Sequence, residues 1–120
     1  MPEIKQQDGF WTIDGEPLNG EHRLDDGGTG WFLNGRPHRV GGPAIVRPGS
    51  EYWCQHGLKH REDGPAVVFS IGTRMWFRNG LRHRDNGPAV EAANGNRFWY
   101  QNGVMIDSHI RSGRWLDCGF

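Results

Sequence analysis

Five tryptophans, at positions 11, 31, 53, 76 and 99, divide the chain into steps of 20, 22, 23 and 23 residues. A glycine follows each of them four residues later: Gly15, Gly35, Gly57, Gly80 and Gly103. The full unit reads W-x-x-[N/H/D]-G-x-x-H-R-x-x-G-P-A-[V/I] and is complete from Trp31, Trp53 and Trp76. The Trp99 copy keeps "WYQNG" but has Ile106 and Asp107 in place of His-Arg, while the Trp11 copy keeps "WTIDG" and then drifts. A unit this short cannot bury its own apolar face, so neighbours must stack and the outermost copies must act as caps. The chain is therefore read as one repeat domain over 1–120. Residues 1–30 form an acidic N-terminal cap with a degenerate repeat, 31–106 the hairpin repeats, and 107–120 a C-terminal cap.

Asn-Gly between short aromatic runs is the strongest local hairpin signal, because a two-residue type I′ turn needs positive φ at both central positions. Asn34-Gly35, Asn79-Gly80 and Asn102-Gly103 fit directly, and His56-Gly57 is a weaker form. Counting outward from these turns places Trp31 opposite His38, Trp53 opposite His60, Trp76 opposite His83 and Trp99 opposite Ile106. A second set of turns, at Ile71-Gly72, Asn94-Gly95 and Pro48-Gly49-Ser50, would set Val67 opposite Trp76, Val90 opposite Trp99 and Ile45 opposite Trp53. The expected row across the sheet is aliphatic, tryptophan, histidine. Alternation of side chains then sends Arg39, Arg61 and Arg84 to the other face with Tyr52, Met75 and Phe98. The Gly and Pro of "HRDNGPAV" imply a bend that leaves open one bent strand or two short ones. The fold class is all-β, an elongated antiparallel meander of repeated hairpins, with room for a helical turn or two only in "SHIRSGRWLDC".

Composition limits the core and the partners. Only 35% of the 120 residues are apolar, and 6 of them are tryptophans, so a few large rings must supply most of the packing. The 14 basic and 14 acidic side chains cancel, which removes any net-charge argument for nucleic acid or an anionic membrane. Charge is nevertheless segregated: residues 1–26 carry seven acids against Lys5 and Arg23, or −5, and the remainder carries +5. No apolar run reaches the roughly 18 to 20 residues that span a bilayer. Cys54 and Cys118 could pair once, but no signal peptide is read at the start, so a reduced, cytoplasmic setting is expected.

The aromatic-x-x-N-G core with a period near 23 resembles MORN-type repeats. It is closer to a variant with "HR-x-[D/N]-G-P-A" units, here "HREDGPAV", "HRDNGPAV" and, less closely, "HRVGGPAI", found in small proteins of phages, giant viruses and bacteria. The resemblance spans residues 11 to about 106. It implies an elongated single-layer sheet used for contacts with other proteins, and no catalytic residue. The G-x-G spacing of ordinary MORN repeats is missing, which argues against their membrane-tethering role. A phage or mobile-element origin would place the protein in a host cytoplasm. A small protein of that kind would bind and inhibit a host protein, such as a CRISPR-Cas defence component.

Three repeated histidines, His38, His60 and His83, invite a metal reading. Units two strand spacings apart hold equivalent residues roughly 10 Å apart, whereas zinc needs its ligands within about 2.3 Å of one centre. Turn-bracing and packing are therefore the expected histidine roles, and no metal or cofactor is expected. Neither a nucleophile turn, a phosphate loop nor a carboxylate pair outside the turns is present, so the chain is read as non-enzymatic. Twelve of the 14 basic residues are arginine, which stacks on rings and forks to carboxylates. Arg39, Arg61 and Arg84 recur at one motif position and are read as structural, each stacking on a neighbouring repeat's ring and bonding a turn carboxylate. Tyr52, Arg74, Met75, Phe77, Arg78, Arg82, Arg97, Phe98 and Tyr100 remain as the candidate partner-binding set, with the composition of an interface hot spot. A protein partner is the leading expectation. Nucleic acid on the arginine and aromatic face is the alternative, and a homodimer or a larger assembly joined at sheet edges is a third.

Overall fold

The computed structural model of the chain describes residues 3–110, and these form an all-β molecule without helices. Its principal extents are 55 × 27 × 23 Å and its radius of gyration is 16.8 Å. A compact domain of this length would have a radius of about 13 to 14 Å, so the molecule is elongated. Six tight turns set its rhythm. Asp8, Asp14, Asn34, His56, Asn79 and Asn102 all take φ between 48° and 52°, and each is followed by a positive-φ glycine. These are the I′ turns that Asn-Gly and Asp-Gly favour. His56-Gly57 adopts the same geometry, and Asp8-Gly9 adds one the tryptophan count had missed.

The Trp53 and Trp76 units each contribute to two sheets, whereas Trp31 and Trp99 lie inside continuous strands of the long sheet. In the Trp53 unit, Ser50–Tyr52 belongs to a ten-stranded antiparallel sheet running the length of the molecule, while Cys54–Gln55 and Leu58–Lys59 form a separate two-stranded hairpin. The next unit repeats this with Arg74–Met75 in the sheet and Phe77–Arg78 with Leu81–Arg82 in the hairpin. Trp53 and Trp76 stand between the two, in neither strand. Tryptophan is the corner of these two units. "HRxxGPA" is one loop joining two short strands, such as Arg36–Pro37 and Ile45–Arg47.

The row across the long sheet differs from the expected one. Ile45 pairs with Tyr52, Tyr52 with Val67, Val67 with Met75, Met75 with Val90, and Val90 with Phe98. Tyr52, Met75 and Phe98 thus occupy the place assigned to the tryptophans. The cause is turn length. Phe69 N–H bonds Thr73 O, and Ala92 N–H bonds Asn96 O, so both loops hold three residues ending in positive-φ Gly72 or Gly95. The Pro48-Gly49 turn holds two, since Arg47 pairs with Ser50. A single-residue slip reassigns every partner. The Trp–His relation survives, because His38, His60 and His83 N–H groups bond Trp31, Trp53 and Trp76 carbonyls at 2.9, 2.9 and 3.1 Å. In the last unit a register shift beside Trp99 moves its partner from Ile106 to Asp107.

The core is thin and follows the long axis. Leu18, Leu24, Phe32 and Ile45 form one cluster with Ile4, Trp11 and Ile13 against it, Ala66, Val67 and Phe77 form a second, and Tyr52 packs against both. The N-terminal Ile4–Gln7, Phe10–Ile13 and Glu16–Pro17 make a three-stranded sheet that closes one end. At the other end, Val104–His109 is the outermost strand. The helical turn considered for 108–118 does not begin in the described part, where Ser108 and His109 are strand and Ile110 is in no regular element; residues 111–118 lie outside the described residues.

Candidate interaction surface

The repeated polar residues are occupied with holding units together. His60 Nδ1 accepts the Asn79 N–H of the following unit's turn at 3.0 Å, and His83 does the same for Asn102 at 3.0 Å, as does His38 for His56 at 2.9 Å. Beside each bond the turn glycine N–H of Gly57, Gly80 or Gly103 donates to Pro37, Lys59 or Arg82 O, all at 2.8 Å. The other ring nitrogens of His60 and His83 meet Glu62 at 2.6 Å and Asp85 at 2.8 Å. Because Nδ1 accepts, Nε2 carries the proton and donates to the carboxylate. This is the turn-bracing role read from the repeat, and the braced turn is the next unit's. Among the described residues no group of three His, Cys, Asp or Glu is placed to hold a metal ion.

The motif arginines are also committed, though not as expected. Arg39, Arg61 and Arg84 lie 3.9, 3.7 and 3.8 Å above the rings of Trp31, Trp53 and Trp76, the tryptophan of their own unit rather than a neighbour's. The shared placement also corrects the sequence reading that sent arginine and tryptophan to opposite faces. On its far side each guanidinium meets the motif glycine: a Cβ added to Gly42, Gly64 or Gly87 would come within 2.9, 2.9 or 3.0 Å of it. One Nη1 then donates to Pro43, Pro65 or Pro88 O. R-x-x-G-P-A is thus a slot for a stacked guanidinium, with Gly giving it room. Ala44, Ala66 and Ala89 are fully buried where their carbonyls accept the backbone N–H groups of Trp31, Trp53 and Trp76.

The nine candidate partner-binding residues divide by environment. Phe77 is 9% exposed and belongs to the core, so it is removed from the surface set. Arg74 pairs with Glu91 at 2.6 Å and Arg78 with Asp85 at 3.0 Å. Tyr52 is half-buried and packs edge-on against Phe69. Arg97 is exposed on the strand neighbouring Glu91. The remaining four, Met75, Arg82, Phe98 and Tyr100, converge with Val90 and Met105 around one open groove of ≈ 280 Å³. Its lining holds one cation and no anion. Arg82 lies 5.5 Å from the Tyr100 ring and 5.7 Å from Phe77, and it pairs with no carboxylate among the described residues. Lys59 reaches the Phe77 ring from the unit before, at 5.5 Å.

A larger cleft of ≈ 490 Å³ lies between the loops of two units and includes Arg61, Asp63, Arg78, His83, Arg84 and Asp85. Its charges are already matched, Arg61 with Asp63, and Asp85 with both Arg78 and His83. Of the two, the groove is the one whose cation has no ion pair among the described residues. Val90 and Met105 are the members the sequence did not flag. Met105 could have been found, since it stands two residues past a turn glycine, the position of Lys59 and Arg82.

No protein-family model matches the sequence, and neither does any curated protein or solved structure. Among the described residues no helix is long and apolar enough to cross a membrane.

Proposed function

We propose that this chain is a non-enzymatic protein-binding module whose recognition surface is the groove of Met75, Arg82, Val90, Phe98, Tyr100 and Met105. The observation that carries this reading is Arg82, a cation with no carboxylate partner among the described residues, set beside two aromatic rings at an apolar groove. An arginine among half-buried rings has the composition of a hot spot, and a carboxylate brought in by a partner would find a fork ready to receive it. The matching ligand is a protein segment with an apolar side chain for the groove and an Asp or Glu for Arg82. The resemblance to repeats of phage proteins makes a host protein, CRISPR-Cas components included, the first class of target to try.

Comparative pull-down with quantitative mass spectrometry tests the reading. A partner held by the native chain should be lost with Arg82→Glu and with Met105→Asp, both on the groove, and kept with Val40→Asp on an exposed loop residue elsewhere. No partner, or one indifferent to both groove variants, would remove the proposal. Nucleic acid is the weaker alternative, because Arg74, Arg78 and Arg84 already meet carboxylates. It would show as oligonucleotide binding that falls steeply with salt.

A further inference from the structure

Among the described residues the last strand, Val104–His109, lies at the edge of the sheet and pairs on one side only, with Arg97–Gln101. All six of its residues are exposed, and Val104, Met105 and Ile106 are 65%, 52% and 60% exposed, with Ile110 just beyond at 57%. Edge strands are ordinarily blunted by Lys, Pro, bulges or extreme shortness. This one carries no Lys or Pro, and its one irregularity, the extra residue Ile106 between the Trp99–Asp107 and Tyr100–Met105 pairs, leaves Asp107–His109 in regular register. Its sequence from Ile106 to Ile110 is I-D-S-H-I, symmetric about Ser108 in its apolar ends, with an acidic and a basic side chain flanking the centre. Ser108 N–H is bonded to the Asp107 carboxylate at 2.8 Å. It therefore points away from Arg97–Gln101, toward the open side, as alternate residues of an antiparallel ladder do.

We infer that this edge is a self-recognition element: a second copy pairs with it antiparallel about a two-fold axis at Ser108. In that register each Ser108 N–H leaves its own Asp107 carboxylate and the two Ser108 residues exchange backbone hydrogen bonds, so that Asp107 of each copy is released to face His109 of the other, and Ile106 of each comes beside Ile110 of the other. Both contacts occur twice, as an isologous interface requires. The chain's neutral total charge puts no net repulsion between copies. A five-residue strand pair is small beside the roughly 1,200 to 2,000 Å² of a permanent interface, so the dimer forms reversibly and at high concentration. The inference does not depend on the groove or on any other partner.

Sedimentation equilibrium of the full chain reads the outcome. The native protein should move from 13.6 kDa toward twice that mass as its concentration rises toward the millimolar range. His109→Asp opposes two carboxylates at both symmetric positions and should weaken dimerisation about tenfold, given the worth of a cross-strand pair. Adding Asp107→His exchanges the partners and should restore it. Ile106→Thr, which keeps strand propensity, should weaken the dimer independently. Near-UV circular dichroism checks that each variant keeps its tryptophan environment. A native chain that stays monomeric throughout, a dimer indifferent to His109→Asp, or a double variant no stronger than the single one would each overturn the inference.

Discussion

At the scale of single residues the motif has a physical reason for nearly every letter. Tryptophan turns the corner and carries the guanidinium, glycine leaves that guanidinium room, and histidine closes the next turn. A stacked, largely desolvated Arg–Trp pair is worth about 0.5 to 2 kcal/mol, so three of them matter in a molecule with so thin a core. The exposed Arg61–Asp63 contact adds little beside that. Cys54 shows how burial silences a reactive group. It is 6% exposed, and desolvation pushes its thiol up to about 11 despite the opposing pull of Lys59. The thiolate is the nucleophile, so Cys54 should resist iodoacetamide at pH 8 in the folded protein and react once denaturant is added. Mass spectrometry of tryptic peptides checks this, and rapid native labelling would show that the packing around Cys54 is looser than described.

At the scale of elements the hairpins were legible and their connections were not. Asn-Gly dictates backbone signs by sterics alone, so the turns at 34, 79 and 102 could be read without neighbours. The loops at 70–72 and 93–95 could not, because Ile71-Gly72 and Asn94-Gly95 suit either a two-residue turn or the end of a three-residue one. Choosing the shorter form there, and the longer one at Pro48-Gly49, moved tryptophan into the row that Tyr52, Met75 and Phe98 occupy. Phe77 looked like surface because its pairing with Arg82 was legible from the turn while its packing against Ala66 and Val67 of the preceding unit was not. Four members of the groove were legible because rings and cations cluster in sequence there; Val90 was not, since a valine after G-P-A is indistinguishable from its structural copies. Coupling between elements runs through the histidines, and His83→Ala tests it. The substitution leaves the Asn102 N–H without its acceptor and opens space at a site only 7% exposed. Losing a buried acceptor and leaving a void should together cost about 2 to 4 kcal/mol. Urea denaturation measures the change, and a loss below about 0.5 kcal/mol would mean that the units hold together without that bond.

At the scale of the whole molecule, the charges that join distant parts of the chain give stability a two-step dependence on pH. Desolvation, with the neighbouring His56 adding to it, lowers His38 below its ordinary 6.5, in keeping with its Nδ1 accepting a backbone N–H. The unfolded chain takes up that proton first, so stability is full above 6.5 and declines as the pH falls from there toward the folded value. The second step has the opposite chemistry and the same direction. Asp26 is held below 3.8 first by the Gly28 N–H and then by Arg47, and Asp85 first by the His83 ring and then by Arg78. Their contributions are present above 3.8 and disappear as acid protonates the folded carboxylates below it. Asp26 ties the N-terminal cap to the second unit through Arg47 at 2.6 Å, so its protonation loosens the acidic end from the array. Melting temperatures between pH 8 and pH 2 should therefore fall in two stages. His38→Gln, whose amide oxygen can accept the same N–H, should shrink the upper stage and leave the lower one. Asp26→Asn should shrink the lower stage alone. A melting temperature that rose between pH 7 and pH 5, or an upper stage untouched by His38→Gln, would mean that the array is not braced through that imidazole.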